Sequence, residues 1–152
     1  MSQEPGPARR GAAVQPAIVV GVDGSHGAAC ALDFAIEEAR LRGAPLVIAC
    51  AWSVPRVLLA ERGLAVDLAT LRDELRGDAQ AIVGNAVSAA GGRLAGIAFE
   101  QHVEEGQPAE VLLELARGAR LLVVGSRGLG GFRGLLVGSV SRSAPTTPPV
   151  LS

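Results

Sequence analysis

Leu121-Leu122-Val123-Val124-Gly125-Ser126-Arg127-Gly128 is the stretch on which the reading of this chain turns. Four apolar residues in a row suit a strand covered on both faces, and such strands belong to parallel sheets. The run ends in a glycine, and nine further residues lead from Gly128 to Gly138-Ser139, where a helix can start. N–H groups at a helix start are unpaired and carry the positive end of the helix dipole, so they attract anions. Glycines let the main chain approach a ligand that a Cβ would block. Two readings stand at this point: a phosphate cradle, and a plain glycine-rich connection.

A second run of the same kind, Ala17-Ile18-Val19-Val20-Gly21-Val22, ends at Asp23-Gly24-Ser25, with Ser25 in an N-cap position. Leu32, Ala35, Ile36 and Ala39 follow at helical spacing until Gly43 and Pro45. Leu46 to Ala51 makes the next apolar strand, and residues 53–66, with Pro55 and Gly63, read as a long connection. Leu68, Leu71, Leu75, Ala79, Ile82, Ala86 and Ala90 mark one long helix closed by Gly91-Gly92. Gly77 and Gly84 inside it cost about 1 kcal/mol each against alanine, so this helix depends on packing. Ile97, Phe99, Gln101 and Val103 alternate at period two; Pro108 opens a further helix with the stripe Val111, Leu112 and Leu115, capped by Gly118. The strand at Leu121 then runs to Gly125.

Strands alternating with helices give an α/β fold, an open parallel sheet with helices on both faces and right-handed crossovers. The alternating third strand suits an edge, and the order 3-2-1-4 sets the ends of strands one and four side by side at a topological switch point. Ligands bind at such points. Asp23 and the Gly125 loop therefore converge on one crevice.

The 152 residues suit one domain, with residues 1–15 expected as a disordered tail and residues 16–152 as the folded unit. A hydrophobic content of 49% with only 3% aromatic residues means a core of Ala, Val, Leu and Ile. The formal net charge of -1 argues against nucleic acid as a partner. No run approaches the ~20 apolar residues of a membrane span, and the first residues lack an apolar signal core, which points to the cytoplasm. All fourteen basic residues are Arg. The absence of Lys excludes a Walker A loop and any lysine nucleophile. Cys30 and Cys50 lie in apolar runs without metal-ligand spacing and read as small core residues; no metal site is expected.

Taken together, IVVGVDGS (Ile18 to Ser25), EEARLRGAPL (Glu37 to Leu46), EGQPAEVLLELAR (Glu105 to Arg117) and VVGSRGLGGFRGLLVGSVS (Val123 to Ser141) resemble the universal stress protein family. The resemblance runs from Ala17 to Val150, and the G-x2-G-x9-G-S spacing is that of its ATP-binding branch. It implies that Asp23 faces the nucleoside, with Gly21 and Val22 lining the same wall. The alternative for Asp23 is a turn or helix-capping aspartate. The backbone of Ala51 corresponds to the position that reads the adenine edge. Gly125 and Gly128 pass beneath ribose and phosphates with Ser126 and Arg127 beside them, while Gly138, Ser139, Val140 and Ser141 supply N–H and hydroxyl groups to phosphate. Arg127 and Arg133 are further phosphate candidates, His26 lies near the crevice without a carboxylate partner, and His102 is expected to face solvent.

By the same resemblance the chain is an adenine nucleotide-binding stress-response sensor, holding ATP with Mg2+ and forming a homodimer. No catalytic residue is indicated: there is no Lys and no base placed for an attacking water. A ligand-free dimerising module and a weak ATP-hydrolysing enzyme are the alternatives. The C-terminus departs from the family pattern. Ser139 to Ala144 gives only about 9 Å of helix before Pro145, so the order 3-2-1-4-5 is expected with its fifth strand short or missing, and the dimer weakened or altered.

Overall fold

The computed structural model describes residues 15–60, 67–126 and 150–151. Its elements are β1 (Ile18–Gly21), α1 (His26–Arg42), β2 (Leu46–Trp52), α2 (Arg56–Ala60), α3 (Leu68–Ala90), β3 (Phe99–Glu105), α4 (Pro108–Leu115), β4 (Leu121–Val123) and β5 (Val150–Leu151), with a 3₁₀ turn at Gly91–Leu94 after α3. The strands form one parallel sheet in the order β3-β2-β1-β4-β5.

Strand alternation divides the core into two layers. Ile18, Val20, Val22, Ile48, Cys50 and Val123 face α1 and α3, burying Leu32, Ala35, Ile36 and Val83 against them. Val19, Ala49, Leu122 and Val124 face α4 through Leu112 and Ala116. The sheet is thus covered on both faces, as the continuous apolar runs require. Ser25 caps α1 by accepting the Ala28 N–H at 3.1 Å. Gly43, at φ +60°, ends that helix in the left-handed region.

Four local expectations need correction. The connection after β2 holds a helical turn, α2, because Pro55 opens it: its carbonyl accepts from Leu58 at 3.0 Å. The third strand starts at Phe99 and not at Ile97, whose N–H is taken by Leu94 O at 3.0 Å. Ala116, not Gly118, is the C-cap of α4; Gly118 takes its positive φ of 73° two residues later. The β4 ladder ends at Val123, short of Gly125.

The fifth strand is present and two residues long, with Val150 opposite Leu122 and Leu151 opposite Val123. This is the short form of the fifth strand expected from the sequence. Residues 124–149 lie between β4 and β5, more than the dozen or so that a parallel crossover needs.

Candidate functional site

Parallel strands put all their C-terminal ends on one rim. β1 lies between β2 and β4, with Gly21 opposite Ala49 and Val20 opposite Val123. The chain leaves β1 for α1 on one side of this point, while β4 is entered from α4 on the other. The rim above β1 is therefore the crevice of the switch point.

β2 outruns β1 here. The last link between them is the Val22 N–H donating to Ala49 O at 2.8 Å, yet β2 continues to Trp52. N–H and C=O of one strand residue point to the same side, and this side repeats every second residue. Pro45 O accepts from Ile18 and Ala49 O accepts from Val22, so the β1-facing set is Pro45, Val47, Ala49 and Ala51. Leu46 and Trp52, which bond toward β3, confirm the phase: Leu46 N–H donates to Ala98 O at 2.9 Å and Trp52 O accepts from Gly106 at 2.8 Å. The main-chain groups of Ala51 thus aim past the end of β1, into the crevice.

Gly21, the last residue of β1, and Val22 after it are buried. Asp23 is half-buried, and its two oxygens have different fates. Oδ1 accepts the Ser25 N–H at 2.9 Å, an Asx turn that leads into α1. Oδ2 is buried with no hydrogen-bond partner among the described residues. A turn role and a ligand role for Asp23, posed as alternatives, are therefore compatible. A buried carboxylate oxygen without a donor is costly, and a ligand hydroxyl or amine would relieve it. The Asp23 charge is also felt by Cys50, whose thiol is pushed up to about 11, first by burial and then by that carboxylate.

Gly125 has a use that the sequence did not disclose. A Cβ there would lie 2.7 Å from the carbonyl carbon of Gly27 and 2.9 Å from both the Gly27 oxygen and the Ala28 nitrogen. The missing side chain lets the end of β4 abut the first turn of α1. Gly27 is its partner in that approach, and a glycine in the first turn after an N-cap serine was the available signal. Ser126 is exposed beside it. Arg127, Gly128, Gly138, Ser139, Val140 and Ser141 lie outside the described residues, as does Arg133.

Of the remaining candidates, His26 is exposed at the start of α1, its Nε2 3.6 Å from Cys30 Sγ. Cys30 departs from the expected core placement: it is exposed, whereas Cys50 is buried. His102, partly exposed on the edge strand, contacts Glu104 at 2.8 Å. Among the described residues no group of three or more His, Cys, Asp or Glu is arranged to hold a metal ion. No described helix is long and apolar enough to cross a membrane.

Comparison with known proteins decides the family. The model of the universal stress protein family matches residues 16–144. The chain belongs to the universal stress protein family. A universal stress protein of Mycobacterium tuberculosis is 37% identical over 147 residues, a match that takes in 93% of this chain and 43% of the relative. The chain thus spans less than half the length of that relative. A solved universal stress protein family structure from Burkholderia pseudomallei superposes with a TM-score of 0.68 at 27% identity, covering 91% of this chain and 96% of the other. A universal stress protein solved in complex with cAMP gives a TM-score of 0.60 at 29% identity, covering 92% and 99%. The order 3-2-1-4 with helices on both faces is the architecture these family members share with this chain.

Proposed function

We propose that this protein binds an adenine nucleotide at the rim above β1 and acts as a nucleotide-responsive regulator in the stress response. The observation that carries the reading is Asp23 Oδ2, buried without a donor among the described residues. It stands on the same crevice into which the main chain of Ala51 aims. A carboxylate oxygen suits a ribose hydroxyl or an exocyclic amine, and a strand N–H and C=O side by side suit the donor–acceptor edge of a purine. Membership of the family and the cAMP bound to a solved relative support the same ligand class.

Within that class we assign ATP, on the strength of the G-x2-G-x9-G-S spacing from Gly125 to Ser139. Gly125, Gly128, Gly138, Ser139, Val140 and Ser141 are the residues assigned to the phosphates, with Arg127 at their side. Mg2+ is assigned here as the companion of the ATP phosphates. Bound there, the ion would neutralise phosphate charge. The protein's own part is to bind and orient; Asp23 is already engaged through Oδ1 and is assigned no proton-transfer role. Signalling by occupancy, without turnover, is the activity assigned, in the cytoplasm and from a homodimer.

Isothermal titration of the wild type and of Asp23→Ala with ATP·Mg2+, AMP and cAMP tests the reading. Removing a hydrogen bond to a charged group costs about 1.5–3 kcal/mol, so affinity should fall roughly 10- to 150-fold. Equal affinity in the two proteins, or no heat with any of the three nucleotides, overturns it.

A further inference from the structure

Cys30 and His26 stand one helical turn apart on α1, and both are exposed. Their side chains meet, Sγ to Nε2 at 3.6 Å, within the longer reach of a sulfur hydrogen bond. Cys30 lines a groove of about 430 Å³ between α1 and the end of β4, together with Phe34, Val123, Val124, Gly125 and Ser126. Phe34 is 40% exposed and offers its ring as one wall of that groove. A nucleophile, a base in contact with it, and an apolar recess at its side are the components of a thiol-exchange site.

The other cysteine supplies the contrast. Cys50 is 3% exposed, and its sulfur meets no imidazole among the described residues; it contacts Ala51 O at 3.7 Å. Burial holds that thiol in its neutral, unreactive form. The chain therefore carries one accessible thiol beside a base and one sealed thiol, neither of which the nucleotide reading uses.

We propose that Cys30, with His26 as its proton acceptor, is a modification site that undergoes exchange with small uncharged disulfides, the adduct lying in the groove beside Phe34 and Val124. His26 Nε2 accepts the thiol proton as Cys30 Sγ attacks one sulfur of the disulfide. A new S–S bond forms as the old one breaks, and the departing thiolate takes the proton back from His26. One disulfide and one protein thiol give one mixed disulfide and one small thiol, with no net oxidant consumed.

The test uses the full chain and the disulfide of 2-mercaptoethanol at neutral pH, followed by intact mass and peptide mapping. One adduct is expected, on Cys30, and none in Cys30→Ser. His26→Ala removes the proton acceptor and should slow the reaction about tenfold while the melting temperature stays unchanged. Native Cys30 should also react faster than the same thiol in the urea-unfolded chain. Three results overturn the proposal: a His26→Ala rate within about twofold of wild type, a native rate no faster than the unfolded one, or a disulfide-linked pair of chains in place of the single small adduct.

Discussion

Replacing Gly125 with alanine sets a methyl group 2.7 Å from the carbonyl carbon of Gly27 and 2.9 Å from two further main-chain atoms. Carbon contacts settle at about 3.5–4.0 Å, so relief takes a displacement of roughly 1 Å. A side chain would rotate away; these atoms belong to the first turn of α1 and move only with the helix. That turn is pinned by the Ser25 cap at 3.1 Å and by the Asx turn of Asp23 at 2.9 Å, so displacing it strains both. Overpacking costs about 1–3 kcal/mol, and with backbone at all three closest contacts the upper end applies. At 2–4 °C per kcal/mol for a domain of this size, about 3 kcal/mol lowers the Tm by roughly 6–12 °C. Calorimetric melting measures this, with Gly43→Ala as the control. Gly43 has φ +60° but nothing within 4 Å of an added Cβ, so it isolates the conformational cost, about 1–2 kcal/mol, from the steric one. A Gly125→Ala protein melting within about 2 °C of wild type refutes the contact reasoning.

Two further outcomes are expected. Ser25→Ala removes the acceptor for the Ala28 N–H and should cost about 1 kcal/mol in urea unfolding, with the slope of the transition unchanged; no loss would mean that the cap is not formed in solution. Cys50 predicts a pH dependence. Its thiol is raised from 9.0 to about 11 in the fold, so the unfolded chain gives up this proton first. The contribution is fully present below pH 9 and is lost as pH rises toward 11. Because the chain has neither Lys nor Tyr, few other groups titrate in that window. Cys50→Ala should therefore show a flatter decline of stability from pH 9 to 11 than the wild type; parallel curves would refute the assignment.

The sheet was legible because its strands need no partner to declare themselves. Ile18 to Val22, Leu46 to Ala51 and Leu121 to Val124 are apolar without alternation, which only burial on both faces accommodates. Alternation at Phe99 to Val103 marked the edge for the converse reason; the right-handed crossover rule sets the hand of each connection and leaves the order to the observed pairing, β3-β2-β1-β4-β5. The boundaries were less legible because they are decided by single hydrogen bonds. Leu94 O claims the Ile97 N–H and delays β3, a choice that no window of side chains records.

The candidate site divides along the same line. Asp23 could be named from the end of an apolar run, but its side chain could not be apportioned between turn and ligand. The structure gives Oδ1 to Ser25 and leaves Oδ2 in a buried position with no described donor. Ala51 came from resemblance alone, because an alanine side chain carries no signal for what its main chain does. Its direction emerges only once Val22 is seen to be the last residue of the first run that bonds to β2, leaving the next inward-facing N–H and C=O beyond the end of β1. Gly125 is the reverse case. It was singled out for the freedom it offers a ligand, whereas the close approach it permits within the described chain is that of Gly27. A glycine here positions the site by letting α1 and β4 meet, so a substitution at Gly125 that weakens nucleotide binding must be paired with a melting measurement before it is read as a lost ligand contact.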